Sequence, residues 1–149
     1  MIQKKPLRLI TIPISHYCEK ARWALTRVQI PYVEEPHMPP FHLLATGRVG
    51  GKLTPVLIAE DNIFTDSTTI LQYLNEIAPT NAKLYPGDAK LRQQVEELEA
   101  LFDEQLRPAI RSWGYFHTMS DTNLMKRAWC NDVPVFEQAL YPVFSLQCA

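Results

Sequence analysis

Up to residue 77 this chain alternates between strand-like apolar runs and helical apolar stripes; beyond residue 87 only the helical period remains. A chain patterned in this way folds as an α/β layer followed by helices. Leu7, Leu9, Ile10 and Ile12 read as a buried strand that breaks at Pro13. From Glu19 onward, Ala21, Trp23, Ala24, Leu25 and Val28 give a helix with a wide apolar face, ended by Pro31. Residues 31–35 form a short strand, and three prolines between residues 36 and 41 force a loop. Residues 41–46 have room for one or two helical turns before the breaks at Gly47, Gly50 and Gly51. Residues 55–59 and 63–65, joined by Glu60-Asp61-Asn62, read as an antiparallel hairpin. Asp66-Ser67-Thr68-Thr69 then opens a helix through Ile70, Leu71, Leu74 and Ile77, stopped by Pro79. Only the last two strands are joined by a hairpin, so four strands in this order require a mixed sheet.

After a proline- and glycine-bearing linker, Leu91, Val95, Leu98, Phe102, Leu106, Ile110 and Trp113 repeat at three and four. That spacing predicts a helix of about 30 residues, roughly 45 Å long, with a kink at Pro108. Ser120-Asp121 starts another helical stretch, with interruptions near Pro134 and at Pro142. The expected organisation is an α/β domain over residues 1–79, a linker over 80–87 and an all-α domain over 88–149.

Charge and composition narrow the function. Fifteen basic and sixteen acidic residues leave a net charge of −1, with no basic stripe for nucleic acid and no polybasic run for a membrane surface. No apolar run is long enough to span a bilayer, and residues 1–8 lack the apolar segment of a secretory signal. Cys18, Cys130 and Cys148 are an odd set at wide spacing, read as reduced thiols of a cytoplasmic protein.

The chemistry concentrates at the first strand–helix junction. Ser15 and Cys18 hold the spacing of a C-x-x-C redox turn, with serine in the leading place. A helix N-terminus there favours a thiolate or another anion. The serine can be a helix cap, the remnant of a redox turn, or the edge of an anion site.

Three stretches together resemble a known family. SHYCEKARWAL resembles the first-helix motif of soluble glutathione transferases, GKLTPVLI their cis-proline stretch, and IFTDSTTILQYLNE their fourth strand and the helix start after it. The resemblance covers roughly residues 7–118 and is to serine-type, bacterial-like members. It implies a thioredoxin-like N-terminal domain, a four-stranded βαβ-αββα unit, followed by an all-α domain that is short or truncated here. It also implies that glutathione is the co-substrate, that no metal takes part, and that the protein is a homodimer with a small electrophilic second substrate. Under it, Ser15 is the catalytic residue, donating a hydrogen bond to the glutathione thiolate, and Tyr17 is a second hydroxyl donor. Cys18 lies in the binding motif. Thr54 offers its backbone to the tripeptide beside a cis Pro55, Asp66 accepts the γ-glutamyl ammonium, and Ser67 sits at the carboxylate-binding helix start.

Two other functions remain open on the residues: a glutaredoxin-like thiol–disulfide oxidoreductase working through Cys18, and a non-catalytic glutathione-binding module. His16 has no assigned role, His37 and His42 are read as loop residues, and Arg48 and Lys52 as solvated charges, with contact to the glycine carboxylate of glutathione as the alternative. Trp113, Tyr115, Phe116 and His117 are read as core packing, with a hydrophobic pocket wall as the alternative.

Overall fold

The computed structural model describes residues 6–145; Cys148 lies outside them. Strand β1, Leu7–Thr11, alternates as its sequence requires, with Leu7 and Leu9 under one face of the sheet and Arg8 and Ile10 on the other. It pairs in parallel with β2, Tyr32–Pro36, and antiparallel with β3, Val56–Ala59. β3 pairs antiparallel with β4, Asn62–Phe64, giving the order β2-β1-β3-β4. This is the expected mixed four-stranded sheet of a thioredoxin-like domain.

Helix α1, His16–Val28, begins three residues before the apolar periodicity suggests, because Ser15 caps it. It ends before Pro31: Gln29 turns left-handed at φ 57° and its N–H bonds the carbonyls of Leu25 and Thr26. Helix α2, Phe41–Gly47, lies by the Ile10 face of the sheet, while α1 and α3, Ser67–Ile77, pack together over the Leu9 face. Ala21, Ala24, Leu25, Leu57, Ile70 and Leu74 fill the space beneath them. After α2, Gly50 takes a positive φ of 78°, and a Cβ on Gly51 would meet Val56 at 3.0 Å. Those two glycines let the backbone run tightly into Thr54 and β3.

Residues 78–87 are bound down rather than loose. Asn75 Oδ1 accepts the N–H groups of Leu84 (2.9 Å) and Tyr85 (3.0 Å), and Tyr85 is buried in the α1–α3 core. The long helix follows as α4, Ala89–Leu101, and α5, Arg107–Thr118, with a π-helical segment, Phe102–Leu106, between them. The irregularity expected at Pro108 thus lies just ahead of it. Proline offers no N–H, and the widened turn accommodates its ring.

Helix α6, Thr122–Trp129, starts where Asp121 Oδ1 accepts the Leu124 N–H at 2.8 Å. Helix α7, Val135–Ser145, follows the break at 131–134 and, contrary to the sequence reading, continues past Pro142. Glu137 fastens α7 to the loop after β2: its fully buried carboxylate meets His37 Nδ1 at 2.6 Å and accepts the Met38 N–H at 2.8 Å. His37 is therefore an anchor across the fold and not merely a loop residue. The expected core packing of α5 aromatics is also overturned. Trp113 is 68% exposed and Phe116 81%, because no element among the described residues covers that face.

Candidate functional site

The β1–α1 junction is held from several sides. Ser15 is extended (φ −75°, ψ 119°), its N–H donates to the Ile12 carbonyl at 3.2 Å, and its Oγ accepts the Cys18 N–H at 3.4 Å. Arg22, two turns into α1, reaches back to the carbonyls of Pro13 and Ile12 (3.4 Å each) while its Nε donates to Glu34 at 2.7 Å. Glu34 also accepts the Thr11 hydroxyl at 2.6 Å. One guanidinium thereby joins β2, α1 and the turn that presents Ser15.

Ser15 lies on the wall of a cleft of about 580 Å³ between this junction and helices α5 and α6. Tyr17 and Thr54 share that wall. The Ser15 oxygen is used as a cap acceptor, yet a hydroxyl also carries a proton to donate, so capping leaves its donor free for a ligand. The Thr54–Pro55 peptide is cis, as the resemblance implies. Among the described residues the Thr54 N–H and C=O form no hydrogen bond, leaving both for an extended peptide.

Tyr17 keeps its proton. Burial pushes its pKa up, Asp103 adds to this, and the Arg107 guanidinium, 5.3 Å from the ring centre, pulls the other way without prevailing. His16 is pushed below its ordinary value by burial and by Arg111 and Arg107.

The other sequence candidates fall elsewhere. Cys18 is fully buried, and its Sγ accepts the Ile12 N–H at 3.4 Å, so the thiol belongs to the junction's packing and not to the cleft wall. Pro55 is buried behind Thr54. Asp66 caps α3, accepting the N–H groups of Thr68 (2.9 Å) and Thr69 (3.2 Å), and Ser67 beside it is nearly buried; neither lines the cleft. Arg48 lines a separate cavity of about 380 Å³ with Phe41 and Glu137, and Lys52 is exposed. His42, read as a loop residue, does line the main cleft.

The far wall was foreseen only at Tyr115, which lines the cleft as the pocket-wall alternative for the α5 aromatics had it. Arg107, Ile110 and Arg111 of α5 and Leu124, Met125 and Trp129 of α6 face the Ser15 junction. Arg107, Ile110 and Arg111 are spaced i, i+3, i+4, and Met125 and Trp129 are four apart, so each set shares one helical face, and that is the only signal the sequence holds for them. Among the described residues no group of three His, Cys, Asp or Glu side chains could hold a metal, and no helix is long and apolar enough to cross a membrane.

Comparison with known proteins agrees with this geometry. Residues 9–82 match the family described as glutathione S-transferase, N-terminal domain. No curated protein matches the chain. Among solved structures, the Tau class glutathione S-transferase of mango, Mangifera indica, superposes with a TM-score of 0.61 at 25% identity, covering 71% of this chain and 49% of that one. A glutathione transferase homologue from Burkholderia, solved with bound glutathione, gives 0.60 at 20% identity, over 70% of this chain and 56% of that one. A third, from Sulfitobacter and also with bound glutathione, gives 0.58 at 19% identity and covers 96% of this chain and 66% of that one. The chain spans about half the length of the first two. Residues 9–82 thus form a domain of the glutathione S-transferase N-terminal family.

Proposed function

We propose that this protein binds glutathione within residues 1–79 and transfers it to an electrophile held against the helices of residues 88–149, with 80–87 as the connection. The supporting observation is the Ser15 hydroxyl on the cleft wall, at a helix N-terminus, with its proton unused. The glutathione backbone pairs with Thr54, its γ-glutamyl end reaches the α3 start at Asp66 and Ser67, and its cysteine sulfur lies at Ser15. A hydrogen bond from Ser15 Oγ and the α1 dipole favour the thiolate over the thiol. Lowering that pKa by one unit needs about 1.4 kcal/mol, within the reach of one charge-assisted hydrogen bond. The thiolate lone pair then forms a C–S bond with the acceptor, whose leaving group departs with its electron pair. Tyr17 is a second hydroxyl in reach of the same region.

A homodimer in the cytoplasm is the setting that the family resemblance supports. The glutaredoxin-like alternative needs an accessible Cys18 thiolate, and the burial of that sulfur counts against it. A non-catalytic module would bind the tripeptide without turnover. The test is calorimetry of glutathione binding together with conjugation of a standard chloronitrobenzene by wild type and Ser15→Ala. Turnover falling by about tenfold or more, with tripeptide affinity within about threefold, fits an interaction made mainly with the thiolate. Glutathione binding with no turnover by the wild type contradicts transfer.

A further inference from the structure

The α5 wall of the cleft carries charge that no acidic side chain among the described cleft-lining residues balances. Arg107 and Arg111 stand one turn apart and both line it, whereas no Asp or Glu does. Neither guanidinium forms a salt bridge among the described residues: Arg107 lies over the Tyr17 ring, and Arg111 has no side-chain hydrogen bond. The nearby carboxylate of Asp103 is taken by Lys20 at 3.3 Å. Arg8, Arg22 and Arg92, by contrast, each clamp a carboxylate at 2.5–2.8 Å. Around the two guanidinium groups, of which Arg107 is engaged by Tyr17, the cleft lining is largely apolar and includes Leu53, Ile110, Leu124 and Met125. Such walls exclude water and strengthen the field of each charge on anything that enters.

We infer that the acceptor is an amphipathic electrophile bearing an anionic group, a carboxylate or sulfonate, which Arg111 binds in front of Arg107 while its apolar body rests on Ile110, Leu124 and Met125. A guanidinium fork matches either oxyanion with two parallel hydrogen bonds. That the occupant is an acceptor rests on the transferase reading; the cleft's preference for an apolar anion does not. Glutathione also carries carboxylates, so the test must separate the two sources.

Two naphthalene probes of similar size serve, read by fluorescence: anionic 8-anilinonaphthalene-1-sulfonate and neutral N-phenyl-1-naphthylamine, with glutathione titrated separately by calorimetry. In Arg111→Gln the sulfonate should lose about tenfold in affinity, while the neutral probe and glutathione change by less than about twofold. Arg111→Lys should recover part of the loss. Equal weakening of both probes would reduce Arg111 to an apolar contact and overturn the inference. So would a loss confined to glutathione, which would assign Arg111 to the tripeptide. Failure of the wild type to bind glutathione would remove the transferase reading alone, because a sulfonate preference that disappears in Arg111→Gln still locates the anion site.

Discussion

Thr68 donates a 2.8 Å hydrogen bond from Oγ1 to Glu99 Oε1, joining the start of α3 to the last turn of α4. Lys20 of α1 pairs with the same oxygen, and the Tyr85 hydroxyl donates to the other at 3.1 Å. Four elements thus meet on one carboxylate, next to the helix start that carries Asp66 and Ser67. Burial pushes the Glu99 pKa up, but Lys20, Thr68 and Tyr85 outweigh it and hold the group below its ordinary value of 4.5. A carboxyl depressed on folding contributes stability that is full above the unfolded pKa and is lost as pH falls through the folded one. Glu99→Gln should therefore cost about 2 kcal/mol at pH 7, and the gap from wild type should narrow as pH drops below 4.5. Urea unfolding at pH 7 and at lower pH measures it; a pH-independent gap would contradict the network.

Arg22 is the brace of the Ser15 turn, and a lysine cannot replace it. One ammonium cannot reach Glu34 and the Ile12 and Pro13 carbonyls together. Arg22→Lys should lose about 1–2 kcal/mol and Arg22→Met about 2–3, because Glu34 keeps only the Thr11 hydroxyl. Denaturant midpoints equal to wild type for the lysine variant would show that the brace carries no stability.

Burial separates the apolar residues sharply. Leu25 and Leu74 are fully buried in the α1–α3 core, so truncating either to Ala should cost about 3 kcal/mol. Phe116→Ala should cost less than about 1 kcal/mol, since the ring is 81% exposed. Thermal unfolding of the three variants compares them directly; a Phe116 cost matching the leucines would mean that face is covered in solution.

Cys18 should be chemically silent. Its sulfur is buried, so alkylation followed by peptide mass spectrometry should label it only after denaturation, and Cys18→Ala should keep glutathione turnover within about threefold. Rapid native labelling of Cys18 with loss of activity in the variant would restore the oxidoreductase alternative.

The α/β half was legible because its signals are local. Period-two runs, prolines and the Asp66 cap fix strand and helix order without knowledge of the rest of the chain, and the sheet follows from where the hairpin falls. The helical half was less so. Pro108 marked an irregularity but not the π segment before it, and Pro142 broke nothing, because local propensity yields to packing. Pairs such as His37 with Glu137, one hundred residues apart, exist only through tertiary contact. The same holds for the cleft. Ser15 and Thr54 could be singled out from motifs, whereas Arg107 and Arg111 became wall residues only once α5 was laid across the junction.

The claim that Ser15 holds the thiolate of glutathione is tested by titrating the bound tripeptide's thiolate absorbance in wild type and Ser15→Ala. The hydrogen bond from Oγ predicts a rise of about one unit in the apparent pKa of the variant, equal to about 1.4 kcal/mol. An apparent pKa unchanged by the substitution would contradict it and leave Ser15 as a helix cap alone.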